Sequence, residues 1–455
     1  MLSYREALGI IFERMDFERG ERPPYVERVY RLSRVHELLA AMGDPHRTYR
    51  SVHIAGTKGK GSVTAMVDAV LRAAGFRTGM YTSPHLHTFR ERVRLDGAPI
   101  LESDLCRMME RMSPILATRP EVTVFEIITA LAMWTYAEKG MDWGVFEVGL
   151  GGRLDATNVL EPEVSVITSI SLDHINVLGD TLEAIAGEKA GIIKPHIPVV
   201  TAPQRPGALG VIESTAERHE APLVVVGRDW HWRRGPRDTG MTEQRLDIYS
   251  AGHKASPEYT GLTLPLLGAH QLENACTAVA AIEVLREQGV KIEREDVRRG
   301  LANVDWPGRM EVLGRAPLVV VDGAHNPYSV QRLLDTLGEY LDFERVHVIF
   351  GAGMTHRPKA LIELLLPASH SAHMVRAPHP KATPPDELVE MAQEMGHKAR
   401  AWDSLQGALE GVVRDAETSD LVLITGSLFV VAAAREAWAR LHGLPLPPSD
   451  PPGVY

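Results

Sequence analysis

Residues 56–62, Gly-Thr-Lys-Gly-Lys-Gly-Ser, form a loop with little side-chain bulk and two positive charges, set between two apolar segments. Upstream, Ser51-Val52-His53-Ile54-Ala55 reads as a short buried strand. Downstream, Val63, Met66, Val67, Val70, Leu71 and Ala74 recur at the spacing of one helix face, and Gly75 supplies the residue that ends such a helix. A buried strand that passes through glycines into a helix commits the chain to an α/β fold and builds an anion site. Without Cβ atoms, successive backbone N–H groups can face one concavity, and the helix start adds unpaired donors and a positive dipole end. Gly59, Lys60, Gly61 and Ser62 are therefore expected to cradle nucleotide phosphates, Lys60 as a point charge and Ser62 as a ligand for the accompanying Mg²⁺. The match to G-x-x-x-x-G-K-[ST] is imperfect: Ile54 takes the first glycine position, and Gly61 stands where the hydroxyl belongs, with Ser62 one residue later.

The phosphate expected there belongs to a small molecule, because a net charge of −10 disfavours a general nucleic-acid surface. With 44% hydrophobic and 24% charged residues, the chain is neither disordered nor fibrous in composition, and 455 residues suffice for two or three domains. Cys106 and Cys276 lie far apart in sequence, which argues for a reducing compartment and against a disulfide frame or thiolate zinc site. Arg5, Glu6, Glu13, Arg14 and Asp16 interrupt the first thirty residues, so no secretory segment is read there. The longest apolar stretch, "LVLITGSLFVVAAA" from 421, is too short to span a membrane and is broken by a strand-to-helix turn at Thr425-Gly426-Ser427. A cytoplasmic protein with neither membrane nor nucleic-acid partner is expected.

Up to about residue 200, strand-like runs ("SVHIA", "WGVFEV", "VSVITSI", "IPVVTA") alternate with helical patterns, which implies a mostly parallel sheet covered on both faces. A helix over 124–139 is bracketed by a Thr123/Glu126 capping box and Gly140, and its nearly uniform apolarity marks it as buried. From 205 to 265, short polar-alternating runs predict an antiparallel excursion, before helix formers return at "QLENACTAVAAIEVLREQG". From 307 a second series, "PLVVVDGAHNP", "RVHVIF", "SAHMVRA", "KARAWD" and "DLVLITGS", reads as a smaller α/β domain. The division expected is 1–306, 307–443 and a proline-rich, disordered tail at 444–455.

Ligands of open parallel sheets sit beyond the carboxyl ends of the strands. Besides the glycine loop, two such ends in the first domain carry chemistry. Glu147 closes "WGVFE" and is followed by a glycine-rich turn, Arg153, Asp155 and Asn158; a carboxylate there is placed to hold Mg²⁺ beside a triphosphate. Asp173 and His174 follow "VSVITSI". In the helix predicted over 181–193, with Asp180 and Glu183 as a capping box, Lys189 falls inside the apolar stripe of Leu182, Ile185, Ala186, Ala190 and Ile193. In the second domain Asp322, His325 and Asn326 end "PLVVVD", so two domains with facing polar ends suggest a cleft in which nucleotide and acceptor meet. A dinucleotide-binding reading fails because "GLGGRL" at 149 lacks the third glycine and opens no clear helix. A simple GTPase or kinase would need only the first domain.

"HIAGTKGKGSV", "YTSPHLHTFRERVRLDGAPI", "VFEVGLGGRLDATNVL", "SLDHINVLGDTLEAIAGEKAGIIK", "LGAHQLENACTAVAAI", "WPGRMEV" and "VVVDGAHNP" resemble, in this order, the folylpolyglutamate synthase and dihydrofolate synthase branch of the Mur ligase superfamily. The resemblance implies a large P-loop ATPase domain with a mostly parallel sheet and a smaller Rossmann-like C-terminal domain, with ATP between them. It implies that Ser62, Ser83, Glu147 and His174 serve one or two Mg²⁺ ions, that Asn274, Arg309 and Asp322 bind ATP, and that Lys189 is carbamylated. Thr123, Phe125, Glu126, Leu154 and Asp155 would lie along the pteridine-side pocket. The expected partners are ATP, L-glutamate and a reduced folate or dihydropteroate, with the chain acting as a monomer. The acceptor carboxylate would attack the γ-phosphoryl group of ATP, and glutamate would displace phosphate from the acyl phosphate, with Lys60, His325 and Mg²⁺ neutralising charge. One departure falls at Thr355-His356-Arg357-Pro358, where the family shows an Asp-Lys-Asp-like stretch. A Mur-type ligase with a cell-wall precursor as acceptor is the alternative.

Overall fold

The computed structural model describes residues 2–18, 23–27, 29–236, 242–253, 256–353, 357–379, 381–451 and 453. The first sheet is built from β1 (Arg50–Ala55), β2 (Thr78–Tyr81), β3 (Val93–Leu95), β4 (Ala98–Pro99), β5 (Trp143–Glu147), β6 (Val164–Ile167), β7 (Val199–Thr201) and β8 (Leu223–Val225). Their order is β4-β3-β2-β5-β1-β6-β7-β8, parallel from β2 to β8 with an antiparallel edge at β3 and β4. After Arg50 every residue of β1 is buried, as a strand covered on both faces requires. The helix Lys60–Ala73 covers one face together with Ala269–Glu287 and Arg294–Ala302; Glu102–Ala117 and Val124–Glu138 cover the other. Thr123 and Glu126 do form the capping box of Val124–Glu138.

Two local expectations are corrected. The stretch from 205 opens with a helix, Pro206–Arg218, and the parallel strand β8; only β9 (Trp230–Arg234), β10 (Gln244–Ser250) and β11 (Tyr259–Leu264) form the antiparallel sheet. Polar residues on Pro206–Arg218 face solvent and masked its period. The helix carrying Lys189 spans Leu182–Ala190, shorter than the 181–193 expected, and its cap is Thr181, whose hydroxyl accepts from the N–H of Ala184, in place of Asp180.

The second sheet, β12 (Glu311–Arg315), β13 (Leu318–Asp322), β14 (Val346–Phe350), β15 (Ser371–Met374), β16 (Arg400–Ala401) and β17 (Leu421–Thr425), runs β12-β13-β17-β14-β15-β16 and is parallel except at β12. Each of the five runs read from 307 onward contributes one of its parallel strands. The segment read as a disordered tail carries Asp450, whose carboxylate accepts hydrogen bonds from Tyr4, Thr88 and Phe89.

Candidate active site

Because β5, β1 and β6 are neighbours, their carboxyl ends bring Glu147, the glycine loop and residues 168–174 together. The loop is held against its neighbour: the N–H groups of Thr57 and Lys58 donate to the carbonyl of Ser169 at 3.0 and 3.1 Å, and Lys58 Nζ pairs with Asp173 at 2.6 Å. Gly59 caps the helix Lys60–Ala73 with φ +93°, and a Cβ there would strike the Asn274 amide. A Cβ on Gly61 would come within 2.6 Å of the Trp306 indole. Gly59 is therefore required by its left-handed turn, and Gly61 by the close approach of the Trp306 ring. Lys60 opens the helix half-buried; burial, reinforced by Lys58 and opposed by Glu147, lowers its amine from the ordinary value. Ser62 is buried in the same first turn.

Glu147 is buried, and one of its oxygens accepts from the N–H of Ser83 at 3.2 Å. Burial pushes its carboxyl up, against the pull of Lys60, that N–H and Arg309. Lys189 is buried with its Nζ donating to the Gly56 carbonyl at 2.8 Å, and burial, followed by the charge of Lys60, holds its amine well below the usual lysine range. Lys60, Asp173, His174 and Lys189 line one cleft of about 260 Å³ with the glycine loop. His174 is exposed, at φ +49°, on the rim of this cleft. Among the described residues no three His, Cys, Asp or Glu side chains gather closely enough to hold a metal alone. Glu147 and Ser62 offer hard oxygen donors at the mouth of the loop, a set that fits Mg²⁺ completing its shell with phosphate oxygens and water.

Across the cleft, Asp322 ends β13 and accepts from the N–H groups of Met310 and Ala324 at 2.9 and 2.8 Å; burial raises its carboxyl, and Arg309 opposes the shift. Arg309 thus bears electrostatically on carboxylates of both sheets, Glu147 and Asp322. His325 Nδ1 donates to the Gly323 carbonyl at 2.9 Å, which fixes its tautomer. Asn326 caps the helix Pro327–Tyr340. Asn274 donates to Gln271 at 2.9 Å. Thr355 and His356 of the departing stretch lie outside the described residues.

A second cavity, of about 610 Å³, is lined by all five residues expected on the pteridine side, Thr123, Phe125, Glu126, Leu154 and Asp155. Three of them also carry structural duties. Thr123 and Glu126 cap their helix, Glu126 pairs with Arg34 at 2.7 Å, and Asp155 accepts from the N–H groups of Gly149, Leu150 and Thr157, shaping the glycine turn after Glu147. The outer wall was not foreseen: Phe17, Tyr25, Tyr30 and Arg34 precede the first strand, and Tyr25 Oη donates to the Leu150 carbonyl at 3.1 Å while accepting from the N–H of Leu154 at 2.9 Å. The aromatic and basic residues interleaved in "YVERVYRLSR" were the available signal. Gly149 and Leu150 line both cavities, so one turn separates the glycine-loop cleft from the aromatic one.

The chain matches the Mur ligase middle domain over residues 54–282 and the Mur ligase glutamate ligase domain over residues 308–428. It is 35% identical to the dihydrofolate synthase/folylpolyglutamate synthase of Bacillus subtilis (strain 168), over 95% of this chain and 99% of that one. Mycobacterium tuberculosis folylpolyglutamate synthase, solved in complex with ADP and AMPPCP, superposes with a TM-score of 0.82 at 34% identity, over 90% of this chain and 95% of that one. A solved FPGS–AMPPCP–folate complex superposes with a TM-score of 0.79 at 31% identity, over 95% of this chain and 99% of that one. The chain belongs to the Mur ligase family, in the branch of the folylpolyglutamate and dihydrofolate synthases.

Proposed function

We propose that the chain joins the amine of L-glutamate to a folate-type carboxylate, with ATP cleavage driving the step through an acyl phosphate. The observation that carries this reading is the turn at Gly149 and Leu150, common to a charged phosphate cleft and an aromatic cavity. A flat aromatic acceptor held among Phe125, Tyr25 and Tyr30 would present its carboxylate past that turn toward the γ-phosphoryl group. The relatives named for folate chemistry, and the solved complex with AMPPCP and folate, support this acceptor class over a cell-wall precursor.

In this reading Gly59, Lys60, Gly61 and Ser62 cradle the phosphates, Asn274 and Asp322 hold the rest of the nucleotide, and Arg309 neutralises phosphate charge from the second domain. Ser62, Ser83, Glu147, His174 and Lys189 are the residues that would hold one or two Mg²⁺ ions, whose chemistry is Lewis-acid neutralisation of the phosphate oxygens. Lys189 is read as carbamylated: a buried amine kept neutral can add CO₂ across its C=O bond, losing one proton, and the anionic carbamate presents two oxygens in place of an ammonium. His325 is placed to face charge developing at the reacting carboxylate. Among the described residues no helix is long and apolar enough to cross a membrane. Cys106 and Cys276 are free and buried, and two unpaired thiols support a reducing, cytoplasmic setting.

The test is ADP release with glutamate and each acceptor in turn. A dihydropteroate-dependent rate marks dihydrofolate synthase activity, and a reduced-folate-dependent rate marks polyglutamylation. No release with either, in folded protein that binds AMPPCP, defeats the reading.

A further inference from the structure

Residues 444–451 continue from the last helix, Leu428–His442, and reach back to the N-terminal part of the chain. One Asp450 carboxylate oxygen accepts from the hydroxyls of Tyr4 and Thr88, both at 2.6 Å, and the other from the N–H of Phe89 at 2.7 Å. Thr88 is fully buried and Tyr4 nearly so, so a tail carboxylate satisfies donors that water reaches poorly. Pro445, Pro447, Pro448 and Pro451 stiffen the segment, which reduces the freedom lost on docking.

The loop it grips is also held one residue earlier. Arg435 donates to His87 Nε2 at 2.8 Å and pairs with Glu311 at 3.0 Å, while His87 Nδ1 faces Glu436 at 3.4 Å. Leu86 packs into the core of the C-terminal sheet. Inside the loop, Glu91 accepts from the N–H groups of Leu86, His87 and Thr88 at 2.9, 3.0 and 3.2 Å, and Arg92 donates to His85 at 3.1 Å, so residues 85–92 are cross-linked by hydrogen bonds. The loop's first residue is Ser83, whose N–H holds Glu147.

We propose that Asp450 is a positioning residue for the ligase reaction: by docking the tail on Thr88 and Phe89 it sets the 83–92 loop, and through Ser83 the Glu147 carboxylate, against the C-terminal sheet. The inference rests on the ligase reading above. It is tested with Asp450→Ala, Asp450→Asn and a chain ending at Gly443, measuring kinetics with glutamate and a reduced folate, AMPPCP binding by calorimetry, hydrogen exchange and thermal unfolding. Asp450→Ala and the shortened chain should lose severalfold in kcat, less than the roughly tenfold that removing a direct outer partner of a metal ligand costs, because Asp450 acts on Glu147 only through the loop and Ser83. AMPPCP affinity should fall severalfold and exchange at 83–92 should quicken, and because Arg92 of this loop pairs with Glu18 on the wall of the aromatic cavity, the KM for folate should rise no more than severalfold. Asp450→Asn keeps an acceptor for the two hydroxyls and should recover part of kcat. Wild-type kcat, AMPPCP affinity and exchange in folded Asp450→Ala overturn the inference, as does a loss that tracks only the unfolded fraction. Nucleotide binding and exchange are read without turnover, so a wild-type chain that releases no ADP defeats the ligase reading and leaves this test intact.

Discussion

Lys60 and Lys189 lie in one cleft and should respond to substitution for different reasons. Burial, with Lys58, outweighs the pull of Glu147 on the Lys60 amine, so removal of Lys60 relieves the free protein of an unfavourable charge. Lys60→Ala should therefore keep or raise the thermal midpoint while lowering ADP release at least about a hundredfold, the scale of losing one preorganised charge at the reacting group. Near-normal turnover would remove Lys60 from the phosphate site. Lys189→Ala should be nearly inactive and partly restored by acetate, whereas Lys189→Arg should stay inactive because a guanidinium forms no carbamate. The carbon signal of labelled bicarbonate, followed by NMR, checks this: active enzyme with no carbamate resonance would return Lys189 to a plain donor to Gly56. Lys189 was legible because a cation inside an apolar stripe is out of place in a helix period. Arg34 was not, because its partner Glu126 is far along the chain and nothing local marks the pair. Thr123 and Glu126 were legible as a cap from their spacing, whereas their place on the wall of the second cavity was implied only by the family resemblance.

Elements show a second kind of linkage in the C-terminal sheet. Trp402 Nε1 donates to His373 Nδ1 at 3.1 Å, His373 Nε2 and Ser371 Oγ are 2.8 Å apart, Ser371 Oγ and His347 Nδ1 are 2.8 Å apart, and His347 Nε2 lies 3.1 Å from buried Asp420. An indole can only donate and a carboxylate only accept, so every proton in the chain has one allowed position. It stitches β14, β15 and the segment after β16 to the start of β17. Burial, then His347 and Arg400, lowers His373 from 6.5 to about 4. Above 6.5 neither folded nor unfolded His373 holds the extra proton; between there and about 4 only the unfolded chain binds it, so folding stability falls as pH drops through that window. Urea midpoints at both ends of it should differ more in wild type than in His373→Asn; equal slopes would dissolve the chain's role. Strand positions here were legible from apolar runs, because each parallel strand is buried on both faces. The helix Pro206–Arg218 was missed because its exposed polar residues break the period, and the Thr181 cap because Asp180 offers an equally suitable oxygen one residue early.

For the whole molecule, Trp306 offers a direct reading of how the two sheets meet, since its indole abuts Gly61 of the phosphate loop from the segment leading into β12. Nucleotide entering that loop should change tryptophan emission, with the change lost in Trp306→Phe; an undiminished change in that variant would assign it to another tryptophan. The two-sheet division could be read from the restart of strand-like runs near 307, whereas the tail's docking could not, because composition reports how a segment prefers to behave alone and not which donors await it. The position of the glycine turn has a further meaning for how such a chain can diversify. The cleft of the glycine loop stands on one side of Gly149 and Leu150, and much of the opposite wall comes from residues ahead of the first strand. On the proposed reading, a lineage could change acceptor by rewriting the leading segment around Phe17, Tyr30 and Arg34, so long as Tyr25 still holds the turn through Leu150 and Leu154.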